Sequence, residues 1–124
     1  MAQEAKQKRP KILLVDDEVQ ILEVMAKALF VERYCVDGAT TAAEAMAFLR
    51  RCSYELVISD WQLPDGDGLL IADTAAEVGA KTMLMSGHLA QMPGGRAEQH
   101  ETLMKPVELS ELIHAVEEAI GKAV

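Results

Sequence analysis

The chain has 124 residues, half of them apolar but only 4% aromatic, and a net charge of −8. That length gives one domain whose aliphatic and Met side chains can build a core without disulfides or a structural metal. The first eleven residues carry +3, which leaves about −11 for the remainder. So acidic a body argues against nucleic acid as a direct partner, since Lys and Arg hold phosphate backbones, and suits a cation site and a basic protein partner.

Residues 1–10, with Lys6, Lys8 and Arg9, read as a flexible N-terminal tail. Residues 11–124 read as the domain. Lys11 to Val15 is a continuous apolar strand, as a sheet covered on both faces requires. Val19 to Phe30 has helical periodicity, with Leu22, Met25, Ala26 and Leu29 on one face. Tyr34 to Ala39 is a second strand. Thr41 and Glu44 fit a capping box that opens a helix running to about Arg51.

Glu55 to Ser59 is the third strand. Asp60 to Gly68 is a loop rich in Pro, Gly and Asp. A helix follows from Leu69 to Val78, and Gly79 stops it. Lys81 to Met85 is the fourth strand. Between His88 and Glu101 the run Met92-Pro93-Gly94-Gly95 interrupts any helix, so the fourth helix is expected to be short or irregular. Thr102 to Met104 is a brief fifth strand. Leu109, Leu112, Ile113, Val116 and Ile120 are the apolar stripe of a final helix, and no second domain is expected beyond Val124. Strand and helix alternate throughout, which predicts a parallel α/β sheet.

No N-terminal apolar stretch has signal-peptide length and none reaches 18 residues. The expectation is a cytoplasmic protein with no membrane contact. Cys35 and Cys52 show no metal-binding spacing and read as reduced thiols in or near the core. His88, His100 and His114 have no ligand partner at a suggestive spacing. His100 reads as a surface residue, and His114 as lying at the solvent boundary of the last helix.

Asp16-Asp17, Asp60, Ser86 and Lys105-Pro106 each sit at or just past a strand end. In open α/β sheets, ligands bind beyond the carboxyl ends of the strands, so topology gathers these residues at one edge. Clustered carboxylates repel unless something positive lies between them. A hard divalent cation such as Mg²⁺ takes about six oxygens and suits one or two carboxylates plus a phosphate oxygen. Asp60 stands apart after the third strand and is the best nucleophile, able to form an acyl phosphate. Lys105 offers an ammonium to phosphoryl oxygens, and Ser86 a hydroxyl. Lys105-Pro106 is a candidate cis bond.

The set Val15-Asp16-Asp17-Glu18, Ser59-Asp60, Leu63-Pro64-Asp65-Gly66-Asp67-Gly68, Met85-Ser86-Gly87-His88 and Lys105-Pro106 resembles the receiver domain of two-component response regulators, from Lys11 to about Lys122. The resemblance implies a flavodoxin-like, doubly wound five-stranded parallel sheet in the order 2-1-3-4-5, with five helices. It implies that Asp60 is the phosphoacceptor for a phospho-His of a histidine kinase or His-phosphotransfer protein. Asp16, Asp17, Asp60 and the backbone carbonyl of Gln62 would hold Mg²⁺. Ser86 would move toward the phosphoryl group, Lys105 would contact it, and Gly68 would be structural. The output would be a changed surface for a downstream protein, with the chain a monomer or weak dimer that turns over no external substrate.

Thr102 stands where the family usually has an aromatic switch residue, and Val107 follows the Lys-Pro pair where an aromatic is common. The intervals from Asp60 to Ser86 and from Ser86 to Lys105 are short for the family. Three other functions fit these residues less well. A Mg²⁺-dependent aspartyl-phosphate phosphatase generally needs a second acid two residues beyond its nucleophile, where this chain has Gln62. A calcium loop beginning at Asp65 meets Leu69 and Ala76 where it needs ligands. A phosphorylation-independent pseudo-receiver would not need the intact acids, Ser86 and Lys105.

Overall fold

The computed structural model describes residues 9–87 and 100–123. Most of the expected tail, the expected irregular helix with His88, and Val124 lie outside the described residues. The elements are β1 (Lys11–Val15), α1 (Val19–Val31), β2 (Cys35–Ala39), α2 (Ala42–Arg51), β3 (Leu56–Asp60), β4 (Gln62–Leu63), β5 (Gly66–Asp67), α3 (Gly68–Glu77), β6 (Lys81–Ser86), β7 (Glu101–Met104) and α4 (Leu109–Ile120). Five strands form one parallel sheet in the order β2-β1-β3-β6-β7. This is the expected 2-1-3-4-5 order, counted over the long strands.

Alternation along each strand builds two core layers. Ile12, Leu14, Leu56, Ile58, Met83 and Met85 face α1 and α4, where Leu22, Met25, Leu29, Leu112 and Val116 cover them. Leu13, Val15 and Val57 face α2 and α3, against Ala45, Ile71 and Ala75. Burying a side chain such as Leu29, fully shielded here, is worth about 1.5–3 kcal/mol. The second layer is rich in Ala, which lets its helices approach the sheet closely.

The helix ends differ in detail from their sequence signals. Thr41 caps α2 by accepting from Glu44 N–H at 3.1 Å. Glu44 reaches back to Thr40 N–H at 2.8 Å, one residue earlier than a capping box requires. Glu108 and Glu111 form a full capping box on α4 that sequence reading missed. Between Asp60 and Gly68 the chain is not plain loop: Gln62 pairs with Asp67 and Leu63 with Gly66 in a small antiparallel hairpin.

Candidate functional site

Parallel pairing sets the position of each acid. Asp16 follows β1, and Asp60 ends β3 opposite Met85 of β6. Ser86 ends β6 one residue further on, and its carbonyl accepts from Lys105 N–H at 2.9 Å. Asp16, Asp17 and Asp60 converge so that one carboxylate oxygen from each lies within 4.8 Å of the others. Asp16 is fully buried, Asp60 nearly so, and Asp17 is exposed.

Lys105 enters this cluster from beyond β7. Its Nζ donates to Asp60 Oδ2 at 3.0 Å and lies 3.0 Å from Asp16 Oδ2 and 3.7 Å from Glu18 Oε1. The buried Asp16 Oδ2 therefore has the Lys105 ammonium as its ion-pair partner. The other Asp16 oxygen accepts from Glu18 N–H at 2.9 Å. The Lys105–Pro106 bond is cis.

Burial pushes the Asp60 carboxyl above its ordinary value. The Lys105 hydrogen bond and charge oppose this, the neighbouring acids Asp16 and Asp17 add to it, and the net shift is upward. For Lys105, burial pulls the ammonium down, but Asp60 and Asp16 outweigh it and the net shift is again upward. By charge count one ammonium faces three clustered carboxylates, an arrangement that suits further positive charge.

Gly68 is held against the root of the acceptor. Its N–H donates to the Trp61 carbonyl at 2.7 Å, and a Cβ on it would lie 2.0 Å from the Asp60 carbonyl oxygen. Gln62 lies at the start of the hairpin, two residues beyond Asp60. Thr102 is exposed on the edge strand β7, opposite Leu84. Beside Lys105, an apolar groove of about 570 Å³ runs between α1 and the segment after β7, lined by Ile21, Val24, Met25, Val107 and Leu109 among others.

Three contacts were not read from the sequence. Glu18 reaches Lys105, as described. Asp65, at the hairpin tip, caps α2 from 22 and 23 residues away. His100 corrects an expectation: it is buried, with Nδ1 against the Thr82 hydroxyl and Nε2 2.8 Å from Asp73 Oδ1. Nothing near His100 in sequence signals this, because Thr82 and Asp73 come from β6 and α3. His114 does lie in solvent, 3.5 Å from Glu118.

Fold and site together define a doubly wound α/β domain with an acid cluster and a lysine at the carboxyl edge of its sheet. The family model for the response regulator receiver domain matches residues 12–117, and the chain belongs to that family. It is 29% identical over 117 residues to transcriptional regulatory protein ResD of Bacillus subtilis, covering 91% of this chain and 49% of ResD. It is 30% identical over 117 residues to GlrR of Escherichia coli K12, covering 90% of this chain and 26% of GlrR. The chain thus spans about half or less of the length of these curated relatives. Among solved structures, a CheY-like receiver domain protein from Methanospirillum hungatei superposes with a TM-score of 0.79 at 27% identity, covering 90% of this chain and 93% of that one. TrrA of Thermotoga maritima, solved in complex with Mg²⁺ and BeF, gives 0.80 at 28% identity over 90% of this chain and 99% of its own. Receiver domains are signalling modules of two-component systems, and they interact with kinases or phosphotransfer proteins. Among the described residues, no helix is long and apolar enough to cross a membrane.

Proposed function

We propose that Asp60 accepts a phosphoryl group from a phospho-His of a histidine kinase or His-phosphotransfer protein, and that the acyl phosphate alters the surface read by a downstream protein. The observation that carries this reading is the Lys105 Nζ–Asp60 Oδ2 contact of 3.0 Å inside a cluster of three carboxylates. An Asp60 oxygen attacks phosphorus, the P–N bond to the donor imidazole breaks, and its electron pair returns to the ring nitrogen. Lys105 sits where it can neutralise the phosphoryl oxygens as charge builds on them. Ser86 donates a hydrogen bond to one of those oxygens.

The residues fit Mg²⁺. The donors are hard oxygens from Asp16, Asp17 and Asp60, within 4.8 Å of one another, with Lys105 the one ammonium among them. These three, with the Gln62 backbone carbonyl, would hold the ion. When bound, it supplies the positive charge that lets an anionic nucleophile meet an anionic phosphoryl group. The Mg²⁺ and BeF named for TrrA support the same assignment.

Signalling then follows from a two-state equilibrium biased by the new phosphoryl contacts. With Thr102 in place of an aromatic, Ser86 carries the local part of that switch. Gln62 cannot protonate a leaving group, so the site holds its phosphoryl group rather than turning over an external substrate. On this reading the protein acts in the cytoplasm with such donors.

The test is the intact mass after incubation with acetyl phosphate, with and without Mg²⁺. One added phosphoryl group that needs Mg²⁺ and is absent from Asp60→Asn supports the reading. No addition to the wild type would point to a pseudo-receiver, and rapid release of phosphate from many esters to a phosphatase.

A further inference from the structure

The hairpin that carries Gln62 is pinned at its root and at its tip. At the root, Trp61 N–H donates to the Met85 carbonyl at 2.8 Å, and Gly68 N–H donates to the Trp61 carbonyl at 2.7 Å. At the tip, the Asp65 carboxylate accepts from two backbone donors of α2, Ala42 N–H at 2.7 Å and Ala43 N–H at 3.0 Å. The first donors of a helix have no partner within it and carry its positive end. A carboxylate that accepts from two of them makes a charge-assisted, two-point contact.

The tip lies directly on that first turn. A Cβ on Gly66 would be 2.9 Å from the Ala42 Cβ. The rest of the first turn is satisfied locally: Thr41 Oγ1 accepts from Glu44 N–H, and the Thr41 carbonyl from Ala45 N–H. Asp65 is thus the part of the cap that comes from another element.

A two-stranded hairpin of this size does not hold its own shape in water. Leu63 packs against the core layer under α2 and α3, and Asp67 accepts from Leu69 N–H at 2.8 Å, but these hold the hairpin on its α3 side. Without the tip contact to α2, its remaining freedom would reach the backbone at Gln62. We infer that Asp65 is a positioning residue: by latching the hairpin tip to the start of α2, it fixes the Gln62 carbonyl at the place where the cation is bound. This rests on the metal reading given above. Asp65 touches neither the ion nor the phosphoryl group and acts through the backbone it holds. The coupling is reciprocal, so Mg²⁺ binding should tighten the latch and protect the Ala42 and Ala43 amides.

The test is a Mg²⁺ titration of the whole chain, followed by the fluorescence of Trp61, its one tryptophan, and by calorimetry. Asp65→Ala is compared with Thr41→Ala, which removes a cap from the same helix without touching the hairpin. Both variants should melt earlier than wild type. Only Asp65→Ala should bind Mg²⁺ more weakly, by about tenfold, as for other groups that orient metal ligands from behind. Asp65→Asn, which keeps an acceptor oxygen, should recover part of the loss. In wild type, Mg²⁺ should slow amide exchange at Ala42 and Ala43.

Equal Mg²⁺ affinity in wild type and Asp65→Ala would overturn the latch and leave the metal reading standing. Equal weakening by Thr41→Ala would also overturn it, by showing that general loosening of α2 is enough. A wild type that binds no Mg²⁺ would overturn both.

Discussion

At the scale of single residues, two helices end alike with different amino acids. After α1, Arg33 N–H donates to the Phe30 carbonyl and Tyr34 N–H to the Leu29 carbonyl; after α3, Gly79 and Ala80 repeat this with Ala76 and Ala75. Both turns need a left-handed residue, and Arg33 has φ 76° where Gly79 has φ 95°. An L side chain in that conformation costs about 1–2 kcal/mol, part of which glycine returns as chain entropy. Arg33→Gly should therefore stabilise the domain by about 0.5–1 kcal/mol, and Gly79→Ala should destabilise it by a similar amount. Urea melts of the two variants, run side by side, check the opposite signs. Gly79 was legible as a stop because glycine is the usual residue there. Arg33 carries no such signal, and only the backbone reveals it.

The same scale separates what could be read at the site from what could not. Asp16, Asp17, Asp60, Ser86 and Lys105 were legible because each lies at the end of an apolar strand, and parallel topology brings strand ends together. His100 and Asp65 were not, because each depends on a contact with a distant element. His100 buries its ring between Thr82 and Asp73. Truncating it removes two hydrogen bonds and leaves a void, which should cost about 2 kcal/mol. A thermal melt of His100→Ala within experimental error of wild type would contradict that contact.

At the scale of elements, the segment from Asp60 to Gly68 matters most. It read as a loop because its Pro, Gly and Asp residues are turn formers, and the short hairpin within it has too few residues to show a strand period. Gly68 must be glycine for a steric reason, since its Cα approaches the Asp60 peptide. Gly68→Ala should destabilise the fold by about 1–3 kcal/mol, the range for forcing extra carbon into a packed place. It should also slow phosphoryl uptake, because the atom it displaces belongs to the acceptor residue. Measuring both in one variant distinguishes a local shift at Asp60 from simple unfolding.

Asp65 gives a pH signature at this scale. Hydrogen bonds from the Ala42 and Ala43 amides hold its carboxyl below the ordinary value of 3.8. A carboxyl lowered in the fold contributes stability that is complete above its unfolded value and disappears as pH falls through the folded one. The gap in melting temperature between wild type and Asp65→Asn should be constant from about pH 7 to about pH 5 and shrink below about pH 4. A gap independent of pH down to the acid transition would mean that the carboxylate charge contributes nothing.

At the scale of the whole molecule, a continuous apolar β1 and alternating helix signals were enough to give a two-sided parallel sheet. The order β2-β1-β3-β6-β7 places β1 and β3 side by side at its centre, so the residues that follow them meet. Three carboxylates brought together at that point repel one another, and a divalent cation held as proposed would offset this. Mg²⁺ at a hundredfold its dissociation constant should add about 2.7 kcal/mol of stability. Metal-free protein melted with and without added Mg²⁺ should show this gain, and Asp17→Asn should lose most of it.

The most direct test of the central claim is to find where phosphorus goes. The protein is phosphorylated with acetyl phosphate in Mg²⁺, the acyl phosphate is trapped by borohydride reduction, and the peptides are sequenced by mass spectrometry. Reduction at Asp60 alone is the expected result. A label on Asp16, Asp17 or any other residue, with Asp60 intact, would contradict the account.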